Sequence, residues 1–94
     1  MELDDLNEAR KEILEIDDRI AELFERRMAL ASRIAEVKKE FGLPVFDPER
    51  EKVVLEKAIE NISDSDLKEY CQLLISKMME LSRDYQNRLL DKSL

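Results

Sequence analysis

From Leu6 to Phe41 the chain repeats in sevens with no glycine or proline to interrupt it. One position of the repeat is filled by Leu6, Ile13, Ile20, Arg27, Ile34 and Phe41, and its partner by Ala9, Ile16, Leu23, Leu30 and Val37. Apolar side chains at that spacing fall on one side of an α-helix, so the pattern predicts one very long helix buried along a single stripe. Arg27 breaks the stripe. A guanidinium stays charged and is costly to bury unless an anion meets it. The stripe therefore contains either a structural ion pair or a place for an anionic ligand.

The length of that helix constrains the architecture. About 38 residues span about 57 Å, whereas a compact chain of this size has a radius of gyration of about 12–13 Å. Folded alone, the protein would leave much of the stripe in water. A second copy is the simplest cover, and a symmetric, intertwined homodimer of long helices is expected. A plain coiled coil would account for the stripe equally well, but not for the polar residues described below.

Punctuation sets the other elements. The first helix should run from about residue 4 to 41, stopped by Gly42 with Pro44 beyond it. Asp47-Pro48-Glu49 announces a second: a capping aspartate, proline at the first helical position and an acid in the first turn. It should extend over about 47–61. Ser63-Asp64-Ser65-Asp66 offers another cap, and a third helix should cover about 64–90. The expectation is one all-α domain over 1–94, without strands, repeats or low-complexity tracts.

Composition excludes whole classes of function. A net charge of −7 argues against nucleic acid as the main partner. Histidine is absent, which removes Ser-His-Asp and Cys-His nucleophile systems and most catalytic zinc sites. Cys71 is the only cysteine, so no internal disulfide can form. It reads as a small buried hydrophobe in a reducing compartment. The opening Met-Glu-Leu-Asp-Asp lacks the basic and apolar regions of a signal peptide, and no run approaches the ~18 apolar residues of a membrane span. A cytoplasmic protein without membrane contact is expected.

The remaining polar residues form a pattern. Arg27 and Lys38, close to three whole turns apart, face the same way about 16 Å apart along the axis. Arg10 shares the heptad flank of Lys38 but lies about 42 Å away, too far to share a pocket with it in one chain. In an antiparallel pair centred near residues 18–24, Arg10 of one chain meets the Arg27–Lys38 region of the other. Asp47, Arg50 and Glu51 share a face at the start of the second helix, where a cap and a local ion pair would also explain them. Ser82 and Gln86 lie one turn apart on the third. Several cations, two acids and a neutral amide suit a small dianion bearing a hydroxyl group.

Taken in order, these pieces resemble the all-helical (AroQ-class) chorismate mutases over nearly the whole chain. The resemblance is carried by Arg10-Lys-Glu-Ile-Leu-Glu-Ile-Asp17, Arg26-Arg27 with Leu30-Ala31, and Ala35-Glu-Val-Lys38. It continues through Pro44-Val45-Phe46-Asp47-Pro48-Glu49-Arg50-Glu51, and through Glu80-Leu81-Ser82 with Gln86. It implies that Arg10 is the inter-subunit arginine, Arg27 the substrate clamp and Lys38 the lysine facing the ether oxygen. It further implies that Asp47, Arg50 and Glu51 are the loop acid, arginine and glutamate. A small change in the loop before the third helix aligns Ser82 and Gln86 with the family's serine and glutamine.

The implied reaction is the [3,3] rearrangement of chorismate to prephenate, in a homodimer with shared sites. It is unimolecular and needs no nucleophile, metal or cofactor. Arg10, Arg27 and Arg50 can clamp the carboxylates in the reactive chair. Lys38 and Gln86 can aim donors at the ether oxygen as charge grows there, worth about 3–4 kcal/mol each. Glu51, with Asp47 or its neighbouring backbone, suits the ring hydroxyl; Ser82 is expected to contribute less. Two other readings use parts of the same chain. An isochorismate-pyruvate lyase of this fold would reuse Arg10, Arg27, Lys38 and Gln86, although the Asp-Pro-Glu-Arg-Glu segment favours the mutase. A non-enzymatic helical dimerisation module would use the stripe alone.

Overall fold

A computed structural model describes residues 2–92. These form α1 (Leu3–Phe41), α2 (Pro48–Glu60), a short 3-10 turn (Ser65–Leu67) and α3 (Lys68–Lys92), with no strand among the described residues. The architecture is all-helical, as the periodicity required. By its internal contacts the chain divides into two units, one ending at Leu30 and the other beginning at Ala31.

The first unit is the greater part of α1. Asp4 and Asp5 occupy its first turn, where negative charge meets the positive end of the helix dipole. Asp5 also accepts a hydrogen bond from the Glu2 N–H at 2.9 Å. The apolar stripe stands open: Leu6, Ile13, Ile16, Ile20 and Leu23 are between 44% and 57% exposed. A single helix has nothing of its own against which to bury such a face.

The second unit holds the buried residues. Among the described side chains Ala31, Ala35 and Met79 form the apolar core, and Ser82 and Gln86 are buried polar groups. α1 ends at Gly42, whose φ of 65° is the left-handed conformation a side chain would disfavour. The Leu43 N–H reaches the Lys38 carbonyl at 2.8 Å and the Gly42 N–H reaches Lys39 at 3.3 Å, the paired bonds of a Schellman cap. This turn folds the connecting loop back beside the last turn of α1.

α2 starts as its sequence dictates. Asp47 caps it, with Oδ1 accepting from the Arg50 N–H at 3.1 Å, and Pro48 follows at the first position. The helix closes at Asn61, whose side chain donates to the Lys57 carbonyl at 3.2 Å. The third helix begins differently from expectation. Asp64 does act as a cap, accepting from the Asp66 N–H at 2.9 Å, but it opens a 3-10 turn over Ser65–Leu67, and regular α-geometry begins only at Lys68. A short polar cap satisfies the first amides of a tight turn as readily as those of an α-helix. α2 and α3 pack together, with Val54, Leu55, Ala58 and Ile59 half-buried on one and Cys71, Ile75 and Met78 half-buried on the other. Cys71 is less enclosed than expected: its Sγ lies 4.0 Å from the Ala58 carbonyl, at the α2–α3 contact. No helix among the described residues is long and apolar enough to cross a membrane.

Candidate active site

Lys38 stands in the last turn of α1 and is half-buried. Its Nζ donates to the Val45 carbonyl at 2.7 Å. The Schellman turn makes this possible by bringing the loop back over the residue whose own carbonyl it caps. An ammonium has three donors, and this bond engages one while fixing the direction of the stem. Two residues after Val45, Asp47 caps α2, so the loop fastened by Lys38 is also the one that delivers the first turn of α2.

That turn presents Arg50 and Glu51. The cap bond uses the backbone of Arg50, and its side chain is exposed. Glu51 has no cation three or four residues away on α2 with which to pair. Its carboxylate pairs with Arg83 on α3, whose Nη1 donates to both Oε1 and Oε2. The Arg83 guanidinium also lies over the Phe46 ring, 5.1 Å from its centroid, within cation–π range. Through these contacts the structure joins Lys38, the loop at Val45–Phe46, Glu51 and Arg83.

On α3, Ser82 immediately precedes Arg83 and Gln86 follows one turn later. Gln86 is only 6% exposed, and its Nε2 donates to Ser82 Oγ at 3.0 Å. Oε1 is buried without a hydrogen-bond partner among the described residues. Such a group costs free energy until something meets it. The carboxamide is isosteric end for end. Turned over, Oε1 accepts from the Ser82 hydroxyl and both Nε2 hydrogens are released to donate elsewhere. In either orientation a neutral amide has unspent hydrogen-bonding capacity in a buried place.

Arg10 and Arg27 belong to the other unit. Arg10 is exposed and Arg27 half-buried. Among the described residues neither side chain has a hydrogen-bond or ion-pair partner. A separate open concavity of about 250 Å³, lined by Ser32, Ala35, Glu36, Lys39, Leu89 and Leu90, contains none of the candidate site residues.

Sequence reasoning passed over Arg83 and Phe46. The signal for Arg83 is the one that exposed Arg27. Cys71, Ile75, Met79 and Arg83 follow at intervals of four, so Arg83 is a cation standing in the inward stripe of its helix.

Residues 9–87 match the family described as chorismate mutase type II. The chorismate mutase of Methanocaldococcus jannaschii is 32% identical over 96 aligned positions, taking in 97% of each chain. The bifunctional chorismate mutase/prephenate dehydratase of Aquifex aeolicus is 44% identical over 57 residues, or 61% of this chain and 16% of that protein. The T-protein of Haemophilus influenzae is 39% identical over 51 residues, 54% of this chain and 14% of that one. The match thus takes in only a small part of the length of the latter two. No solved structure gives a significant match.

Proposed function

The chain belongs to the chorismate mutase type II family, and we propose that it converts chorismate to prephenate in sites completed by a second copy of itself. The observation that most supports this is Gln86: a neutral carboxamide, 6% exposed, with hydrogen-bonding capacity left over. A charged acid there would repel a dianion, and an apolar residue would offer it nothing. An amide can donate to an ether oxygen without proton transfer.

The reaction breaks one C–O bond and forms one C–C bond within a single molecule. The protein must therefore bind the compact conformer and stabilise charge as it appears. Arg27, half-buried in the stripe, and Arg50 clamp carboxylates. Lys38, its stem directed by the Val45 carbonyl, and Gln86 supply donors to the ether oxygen. Donors already in place do not have to reorganise as the bond breaks, which is where electrostatic catalysis gains most. Glu51 accepts from the ring hydroxyl. Asp47 holds the turn that presents Glu51, and Ser82 orients Gln86. No metal or cofactor is required.

The dimer is supported by the open stripe of α1. Five side chains near half exposure, each worth about 1.5–3 kcal/mol when fully buried, give a second chain ample reason to associate along them. By the rise of a helix Arg10 stands about 42 Å from Lys38 of its own chain, so it serves the partner's site. Such a protein would work in the cytoplasm, where its single cysteine stays reduced.

An assay of purified protein for chorismate loss and prephenate formation tests the reading. Release of pyruvate from isochorismate without prephenate formation would replace the mutase by the lyase. Inactivity on both substrates, in a folded dimer, would leave only the dimerisation module.

A further inference from the structure

We propose that Arg83 is a positioning residue for Glu51, holding the carboxylate in one place and cancelling its charge so that the site can receive a dianion. The inference rests on the role given to Glu51 above and extends it to a side chain on another helix.

The pair is unlike two other ion pairs among the described residues. Lys77–Glu80 and Arg88–Asp84 lie within single turns of α3, with all four side chains more than half exposed; such pairs contribute little. The Arg83–Glu51 pair joins residues 32 apart in sequence, and its side chains are only 31% and 23% exposed. One nitrogen donates to both carboxylate oxygens, and the ring of Phe46 covers the guanidinium. Phe46 is itself flanked by Val45, which Lys38 grips, and by Asp47, which caps α2. Arg83 thus braces the junction from which Lys38, Asp47 and Glu51 are all presented.

Charge explains why the brace must be a cation. Glu51 alone would bring a negative charge close to a substrate already carrying two. A carboxylate has about four lone-pair positions, so one bridging N–H leaves capacity to accept a hydroxyl while removing the net charge. Arg83 acts on the substrate through Glu51: it makes an acceptor tolerable beside an anion. A guanidinium that only tied α2 to α3 would affect stability and leave kinetics alone, and that difference is measurable.

The test uses steady-state kinetics of the full chain with chorismate. Arg83→Met keeps the length and removes the charge. Its KM should rise at least tenfold, because even one unit charge about 4 Å away at an effective dielectric near 20 opposes another by more than that, with a smaller fall in kcat. Arg83→Lys should recover most of the KM. Adding Glu51→Gln to Arg83→Met should also bring KM back toward wild type at a reduced kcat, because a neutral acceptor needs no counter-charge. Should Arg83→Met lose its helicity by circular dichroism, Arg83→Gln serves in its place. A wild-type protein that leaves chorismate untouched overturns the functional reading and this inference with it. Wild-type turnover, with Arg83→Met unchanged in KM or with losses that simply multiply in the double variant, overturns the inference alone.

Discussion

The two units of this chain differ in how they hold the polar side chains singled out above. From Ala31 onward, Lys38 is fastened to a loop carbonyl, Glu51 to Arg83 and Gln86 to Ser82, each by a contact the chain makes with itself. Up to Leu30, the helix shows an open apolar stripe and two arginines, Arg10 and Arg27, that no side chain of the described residues engages. The difference shows how a small chain can assemble a polar site. Lys38, Glu51 and Gln86, the groups proposed to meet the substrate's oxygens, are held by contacts inside the second unit: a turn, the α2–α3 packing and one turn of α3. Arg10 and Arg27, proposed as two of the substrate's cationic partners, stand on the part of α1 whose apolar stripe is open.

The strongest way to break this comparison is to remove the fastened ammonium. Lys38→Ala should lower kcat by about 10²–10³-fold, with helical content by circular dichroism unchanged, because the Schellman cap uses the backbone of Lys38 and not its side chain. Near-normal turnover in a folded Lys38→Ala protein would take the residue out of the chemistry. Gln86→Glu should cost about 10²-fold at neutral pH, where an ionised carboxylate repels charge on the ether oxygen. An ordinary glutamate titrates near pH ~4.3, and burial moves it upward because the charged form is disfavoured. Activity should therefore return as the pH falls through that range, when the protonated acid can donate. A flat pH–rate profile at full activity would contradict the role of Gln86.

The other unit is tested by complementation. Arg10→Ala and Lys38→Ala proteins, each inactive, are unfolded together and refolded. If Arg10 serves the partner, a heterodimer has one pocket with both lesions and one with neither, and about a quarter of wild-type activity per site returns. Verified heterodimers without activity would show that Arg10 serves its own chain. The smallest expected effect is at the turn that follows α1. Gly42→Ala meets no atom within 4 Å at its new Cβ, so only backbone strain at positive φ remains, a loss of about 1 kcal/mol. Its denaturation midpoint should fall while kcat hardly changes.

Local signals along the chain account for much of this fold. Gly42, Asp47 and Pro48 punctuate the chain by capping chemistry that acts within a few residues, and the helices stop and start where those signals lie. Asp64 shows the limit of such signals: its cap is legible in the sequence, but the 3-10 turn it opens is not, because one side-chain acceptor suits either geometry. The cationic residue in the stripe of α1 is visible as a break in periodicity. The same break at Arg83 is harder to see because α3 is less regular in its apolar pattern, with Ser82, Arg83 and Gln86 all near the inward face.

The sequence by itself determined the helices, their caps, the open stripe and the family, since periodicity, capping and motif order are written along the chain. Tertiary structure decided the partners. Spacing gave Glu51 no cation one turn away on its own helix, and the packing of α2 on α3 brought it to Arg83 and set Phe46 beneath that guanidinium. Gln86 keeps the neighbour its spacing gives, Ser82 one turn back on α3, and burial leaves its other end without a partner among the described residues. Long polar side chains have many rotamers of similar energy, and only the rotation of one packed helix against another selects which pair of them meets.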